Sequence, residues 1–239
     1  MRTFRLLDLT FPFPAENLAL DEVLLEELDE RGGAPILRFW ESDCPFVVLG
    51  RASRVADEVD LATCEKDGLP ILRRASGGGT VLQGPGCLSY AFVLPLEWHP
   101  DLASIRTTNR FVLERIATTL RQWEPTTSFQ GISDLAIGDR KISGNAQRRT
   151  RNALLFHGTI LHGMMADLVA RYLKHPSRQP DYRSDRPHRT FLRTINAPPQ
   201  AIKHAIASAW NAEPTDSEWP IARMPGMIAA IQARSREES

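Results

Sequence analysis

Residues 73–80 read Arg-Arg-Ala-Ser-Gly-Gly-Gly-Thr. Ile71 to Arg74 has strand character and leads into the glycines, and Thr80 to Leu82 leads out as a second strand. A glycine run between two strands is a corner of a largely antiparallel sheet. No Gly-Lys-Ser/Thr follows, which excludes a Walker phosphate loop, and the spacing also excludes a Rossmann fingerprint. Three glycines in a row carry no Cβ, so a ligand can approach the backbone closely. Successive N–H groups in such a loop can form an anion-binding concavity. Arg73 and Arg74 add guanidiniums suited to bidentate contact with phosphate or carboxylate. Strand alternation sends them to opposite faces, so at most one is expected to point at the ligand. A glycine-rich hairpin corner beside a solvated arginine pair is the bland alternative.

Working outward, Thr3 to Leu9 reads as a strand. Pro14 to Glu30 reads as an amphipathic helix, with Leu18, Leu20, Val23, Leu24, Leu25 and Leu28 at near-helical spacing and Gly32-Gly33 as its stop. Strands are expected at Pro35 to Trp40 and Phe46 to Gly50, then a helix at Glu58 to Asp67. Thr80 to Leu82 and Leu88 to Leu94 read as an antiparallel pair linked by Gln83-Gly84-Pro85-Gly86. Ala103 to Trp123 is the longest helical pattern. Ser128 to Gly144 reads as short strands around a tight Gly138-Asp139 turn. Leu154 to Leu161 is a further strand and Met164 to Leu173 a helix. A proline-punctuated basic loop follows at 175–190, then helices near 199–211 and 221–234. The expected fold is α+β, a mixed and largely antiparallel sheet flanked by helices.

A second motif lies at 138–147, Gly-Asp-Arg-Lys-Ile-Ser-Gly-Asn-Ala-Gln. The chain has only four lysines, Lys66, Lys141, Lys174 and Lys203, so Lys141 stands out in this turn. A lysine ammonium is a compact charge that can stabilise a phosphate or a tetrahedral oxyanion. Ser143, Asn145 and Gln147 alternate along one side if the segment is extended, forming a polar ladder beside Gly144. A surface lysine beside a β-turn is the competing reading. His157-Gly158-Thr159 sits in an apolar strand, where a satisfied structural histidine competes with a role near the site. Trp40 can wall an apolar ligand pocket or pack in the core.

The 29 basic residues balance 29 acidic ones, which argues against a general polyanion-binding surface. No nucleic-acid-binding motif is present. Cys44, Cys64 and Cys87 have no metal-type spacing, and a reduced cytoplasmic chain is expected. No signal core or membrane-length apolar run occurs, so no membrane partner is expected. Neither a Gly-x-Ser-x-Gly elbow nor a zinc-type histidine pattern is present.

In this order, these motifs resemble the lipoate–protein ligase A family of the biotin/lipoate ligase and octanoyltransferase superfamily. The resemblance runs from Asn17 to Leu173. It rests on Phe39-Trp40 with Leu49-Gly50-Arg51, on Arg73 to Val81, on Asp134 to Gln147, and on His157 to Leu161. It implies the catalytic fold of biotin ligases and class II aminoacyl-tRNA synthetases. The implied reaction joins lipoate or a related acid to ATP, with Mg²⁺, as an acyl-adenylate. The acyl group then passes to a lysine of an apo lipoyl carrier domain. On this resemblance Arg73, Arg74, Ser76, Gly77, Gly78, Gly79 and Thr80 hold the adenylate. Lys141 contacts its phosphate or carbonyl oxygen, and Ser143, Gly144, Asn145, Ala146 and Gln147 line the nucleotide side. His157, Gly158 and Thr159 complete the site, Trp40 faces the lipoyl tail, and the metal ligands are unassigned. Two departures bear on nucleotide contacts: Ser133-Asp134 replaces Asn-Asp, and Phe156-His157 replaces paired histidines.

The expected organisation is one catalytic domain over residues 1–239, with a short helical extension from about residue 195 and no large C-terminal accessory domain. A separate accessory activation subunit, or performance of the transfer half-reaction alone, follows as an expectation. Two rivals remain. A thioester-using octanoyl or lipoyl transferase needs a thiolate near the lysine, and Thr126 to Gly131 before the hairpin contains no cysteine. A non-catalytic carrier-binding protein would not need the lysine and glycine motifs together.

Overall fold

The computed structural model describes residues 3–164, 166–176, 178–215 and 218–236. The chain order begins β1 (Phe4–Asp8), α1 (Pro14–Arg31), β2 (Ile36–Trp40), β3 (Phe46–Leu49), α2 (Val55–Glu58), α3 (Leu61–Asp67), β4 (Ile71–Arg73), β5 (Val81–Gln83) and β6 (Cys87–Pro95). It continues with α4 (Ile105–Leu120), β7 (Thr127–Gln130), β8 (Asp134–Ile137), β9 (Arg140–Arg149), β10 (Ala153–Leu161), α5 (Ala166–Tyr172) and α6 (His188–Phe191). It closes with α7 (Pro199–Ala209), β11 (Ala212–Pro214) and α8 (Met224–Arg236). Eight strands form one sheet in the order β11-β1-β2-β6-β10-β9-β8-β7. Only β11-β1 and β1-β2 run parallel in it. A second sheet has the order β4-β3-β5. The expected α+β architecture with a largely antiparallel sheet is the one found.

Strand alternation divides the large sheet into two faces. Leu37, Phe39, Phe92, Leu94 and Phe156 pack against Val112, Leu113 and Ile116 of α4 and Ile202 and Ile206 of α7. On the other face, Leu20, Val23, Leu24 and Leu28 of α1 meet Ile36, Ala91, Val93 and Leu155. Each fully buried leucine or valine of α1 contributes about 1.5–3 kcal/mol relative to exposure. The small sheet continues this second layer: Phe46, Val48 and Leu72 pack with Leu18, Trp40 and Ile231.

Helix α8 also covers the β4 edge. Arg73 N–H donates to Ser235 Oγ (2.9 Å), and Arg234 Nε donates to the Arg73 carbonyl (2.6 Å). Arg234 also reaches Glu22 of α1, with Nη1 to Oε2 at 2.9 Å. The C-terminal segment also supplies β11, a strand absent from the sequence reading, to the edge of the large sheet.

Three expectations are corrected. Val81–Gln83 and Cys87–Pro95 do not pair: β5 pairs with β3, and β6 lies between β2 and β10 in the large sheet. Their link is anchored away from hairpin geometry, because Glu41 Oε1 accepts from Gly86 N–H (2.7 Å) and the Gly86 carbonyl accepts from residues 162–164. The helix expected at 58–67 starts later, as α3 at Leu61, because Asp60 caps it by accepting from Thr63 N–H at 3.0 Å, and a separate short helix, α2, ends at Glu58. The basic loop at 175–190 contains a 3₁₀ turn at Asp181–Arg183 and reaches into α6. The start of the expected helix at Met164 includes Met165, which lies outside the described residues.

Candidate active site

A cavity of about 360 Å³ lies between the large sheet and the small one. Its floor follows from register. Trp40 of β2 lies opposite Ser89 of β6, and Ser89 opposite Thr159 of β10. One step beyond the paired Gly158 and Asn145, Gly144 of β9 falls beside Thr159, and Asp134 of β8 pairs with Gly144. All five line the cavity. Four strand intervals give the row a span of about 19 Å.

Lys141 stands at one end of this row. Its Nζ is 2.8 Å from Asp134 Oδ1. A Cβ on Gly144 would lie 2.9 Å from that Nζ and 3.0 Å from Cε, so the missing side chain makes room for the lysine over the strand. The Tyr182 hydroxyl donates to the other Asp134 oxygen at 2.9 Å. Burial, reinforced by the Asp134 charge, pushes the Tyr182 hydroxyl above its ordinary range, so it remains a protonated donor.

Asn145 is fixed by three contacts. It accepts from the Tyr90 hydroxyl and donates through Nδ2 to the Ser133 carbonyl (2.8 Å) and Ser143 Oγ (3.1 Å). Gly158 is required for this arrangement, since a Cβ there would sit 1.7 Å from Asn145 Oδ1. Burial raises the Tyr90 hydroxyl above its usual range.

The glycine loop forms part of the wall and is organised from within. Arg74 Nη2 donates to the carbonyls of Gly77 (2.7 Å) and Gly79 (2.8 Å), and Nη1 donates to Val48 (3.3 Å). Arg74 Nε donates to Ser76 Oγ (3.0 Å), which lies 2.6 Å from His157 Nε2. Burial first, and the Arg74 charge second, push His157 down to about 3, so the neutral ring accepts from the Ser76 hydroxyl. Burial lowers Arg74 to about 10, which leaves it cationic at neutral pH. Thr80 N–H donates to Glu58 Oε2 at 2.8 Å and ties the far end of the loop to α2.

Of the residues singled out in the sequence, Trp40, Arg74, Gly78, Gly79, Thr80, Lys141, Ser143, Gly144, Asn145, Ala146, His157, Gly158 and Thr159 line the cavity together. Four do not. Arg73 turns away and donates to the carbonyls of Gly50 (3.0 Å) and Ser53 (2.7 Å), because its strand packs against α8 on that side. Ser76 and Gly77 lie behind the loop, held by Arg74. Gln147 is drawn to α4, where its Nε2 donates to the Ile105 carbonyl (3.1 Å) and Asn109 Oδ1 (2.6 Å). Sequence reasoning passed over Asp134, Tyr182, Gln83 and Ser89 as site residues, reading Gln83 only as part of a turn. Asp134 was the most accessible of these, as the acid opening the lysine hairpin. Tyr182 carries no signal beyond its place in the proline-rich loop.

None of the three cysteines lines the cavity. Cys87 is buried behind the apolar wall, packed with Leu82, Leu161, Val169 and Leu173, and that burial pushes its thiol up to about 12. Among the described residues no group of three histidine, cysteine or carboxylate side chains is arranged to hold a metal, and no helix is long and apolar enough to cross a membrane.

The lipoyl protein ligase A/B catalytic domain model matches residues 13–203. The chain is 32% identical over 194 residues to the octanoyltransferase LipM of Carboxydothermus hydrogenoformans, covering 74% of this chain and 71% of the relative. It is 30% identical over 161 residues to the lipoate-protein ligase LplJ of Bacillus subtilis, covering 67% of this chain and 46% of the relative. It therefore spans less than half the length of that ligase. Two solved structures share the fold. One is the bi-partite lipoate protein ligase of Thermoplasma acidophilum, described with its E2 lipoyl domain (TM-score 0.81, 23% identity, 100% of this chain and 96% of that one). The other is a lipoate-protein ligase A bound with ATP (TM-score 0.80, 23% identity, 99% of this chain and 97% of that one). With its fold, its cavity and the match over residues 13–203, this chain belongs to the lipoyl protein ligase A/B catalytic domain family.

Proposed function

We propose that this chain condenses lipoate, or a related medium-chain acid, with ATP and passes the acyl group to a lysine of a small carrier domain. The observation that carries the reading is the seat of Lys141, paired with Asp134 over Gly144 in a cavity that no cysteine lines. In the first step a carboxylate oxygen attacks the α-phosphorus and pyrophosphate leaves. In the second, the carrier amine attacks the acyl carbonyl and AMP leaves. A fixed ammonium at the mixed anhydride stabilises charge that develops in both steps. The floor row offers the acid an extended lane with its tail toward Trp40. Gly78, Gly79, Thr80, Asn145 and Ala146 stand around the adenylate.

Mg²⁺ is proposed to enter with the nucleotide. It needs only one or two carboxylates plus phosphate oxygens, and Glu58 and Asp134 are cavity carboxylates suited to that part. Relatives named for lipoate ligation, one described with ATP and another with an E2 lipoyl domain, support ATP and a lipoyl carrier as reactants. The bi-partite neighbour likewise supports a separate accessory activation subunit as a proposed partner.

Octanoyl transfer without ATP is the second reading, favoured by the similarity to octanoyltransferase LipM. A thiol route requires a thiolate, and the Cys87 thiol is held near 12 by burial outside the cavity. The deciding experiment is the intact mass of an apo lipoyl carrier domain after incubation with this protein, lipoate, Mg²⁺ and ATP. One control omits ATP, and another supplies octanoyl carrier protein instead of lipoate and ATP. An ATP-dependent lipoyl increment is expected. An octanoyl increment without ATP, and none with it, would replace the ligase reading by the transferase.

A further inference from the structure

We infer that Glu22 of α1 and Arg234 of α8 are positioning residues for the glycine loop: the pair sets the aim of Arg74, and Arg74 sets the loop that walls the cavity. This rests on the cavity being the acyl site proposed above. Neither member lines that cavity. Glu22 is buried, and its Oε1 accepts from the Ala75 N–H at 3.2 Å. Both of its oxygens also accept from Arg234, Oε2 from Nη1 at 2.9 Å and Oε1 from Nη2. The remaining guanidinium donor, Nε, reaches the Arg73 carbonyl at 2.6 Å. A two-pronged pair of this kind fixes direction as well as distance.

What the pair holds is the backbone on both sides of Arg74. The Arg73 carbonyl belongs to the peptide entering Arg74, and the Ala75 N–H to the peptide leaving it. The entering peptide is also held from the opposite side, since Arg74 N–H donates to the Leu49 carbonyl at 3.0 Å. Beyond the leaving peptide, the Ala75 carbonyl accepts from Arg148 Nη1 at 3.1 Å. Peptide units are planar, so fixing the two that meet at one Cα fixes φ and ψ there, and with them the direction of the side chain. The side chain so aimed takes the Gly77 and Gly79 carbonyls through Nη2 and the Ser76 hydroxyl through Nε.

The loop has little stiffness of its own. Glycine loses more conformational freedom on ordering than any other residue, and Gly78 stands at φ +90°. Around Gly77 and Gly79 a Cβ would meet nothing within 4 Å, so close packing does not confine those two positions. Their carbonyls are held by Arg74, and Arg74 is held by the pair. Arg234 lies 212 positions from Glu22 and beyond residues 13–203, the part of the chain that matches the family's catalytic domain. The C-terminal helix thus takes part in assembling the site without touching it.

The test combines amide hydrogen exchange in the full chain, resolved by NMR, with steady-state acyl transfer to an apo lipoyl carrier domain. The amides to watch are those of Arg74 and Thr80, which bond to the Leu49 carbonyl and to Glu58 and not to the pair itself. Arg234→Gln is expected to speed exchange at both about tenfold. It should also lower kcat about tenfold while KM for the acid changes less than threefold. Arg234→Lys keeps a cation for Glu22 and should recover part of both losses. Glu22→Gln, which keeps an oxygen for the Ala75 N–H, should show the same two changes at smaller size and serves if Arg234→Gln fails to fold. A role in stability alone would lower Tm and leave kcat at wild type well below the transition. That result overturns the inference, as does wild-type exchange at Arg74 and Thr80. A wild-type protein that transfers no acyl group, from lipoate with ATP or from octanoyl carrier protein, defeats the proposed function instead. The exchange comparison then decides alone whether the pair holds the loop.

Discussion

Gly50→Ala is the sharpest probe of how the glycine loop is held. A Cβ at residue 50 would lie 1.9 Å from the Gly78 carbonyl oxygen and 3.2 Å from Ser53 Oγ. The first contact is far inside the 3.0 Å below which real Cβ atoms essentially never approach, so the loop must retreat by more than 1 Å. It cannot do so freely, because Arg74 grips the carbonyls on either side of Gly78 at 2.7 and 2.8 Å. Overpacking of this kind costs about 1–3 kcal/mol. For a chain of this size each kcal/mol lowers Tm by about 2–4 °C. The expected loss is therefore about 2–12 °C by thermal unfolding. Turnover should fall on the order of 100-fold, since the same loop walls the cavity and a 1 Å displacement has that effect on positioning. Gly77→Ala is the stability control, because a Cβ there meets nothing within 4 Å. It should cost no more than about 0.5 kcal/mol. If both variants melt together, or Gly50→Ala melts with the wild type, the close approach of residue 50 to the loop is not what constrains it.

Other outcomes follow from the same geometry. Lys141→Ala should lower acid activation by about 10²–10³-fold while thermal unfolding stays near wild type, and retained turnover would remove Lys141 from its role. Arg38→Met should destabilise the fold by about 3–5 kcal/mol in denaturant titration, because Asp21 is left buried with an unpaired charge; a cost under 1 kcal/mol would contradict the pairing at 2.6 Å. His157 is held at about 3 against an ordinary 6.5, so below pH 6.5 the unfolded chain binds a proton that the fold refuses. Its contribution to stability therefore falls as pH drops from about 6.5 to about 3, by about 1.4 kcal/mol per unit at most. His157→Gln should flatten that slope in unfolding measured from about pH 4 to 6, and an unchanged slope would show that the ring titrates normally.

Much of this fold is legible because single residues answer to one local rule. Helix α1 buries a leucine face on one sheet, so its periodicity survives in the sequence. The β8–β9 hairpin is marked by Gly138-Asp139, with Gly138 at φ +62°. The joining of β5 to β3 instead of β6 is not so marked. It depends on Gly84, where a Cβ would meet the Pro45 backbone at 2.8 Å, and on Gly86 lodged against residues 163–164. Those are tertiary contacts with no local signature. The candidate site divides in the same way. Lys141 and the glycines announce themselves by composition, whereas the turn of Arg73 away from the cavity goes with the packing of its strand against α8, where Ser235 accepts from the Arg73 amide from 162 positions later. Tyr182 reaches Asp134 only because the basic loop folds back across the cavity mouth.

The clasp between α8 and β4 has a consequence for solubility. A strand at the margin of a sheet offers unsatisfied amide and carbonyl groups that recruit another chain. Here the Arg73 amide and carbonyl are taken by Ser235 and Arg234, so a helix stands where a further strand would dock. A protein shortened to about residue 232 keeps the buried Ile231 but bares this margin, beside a Glu22 carboxylate that has lost its Arg234 counter-ion. Such a product is expected to self-associate through β4 with increasing concentration, making the final helical turn an anti-aggregation cap.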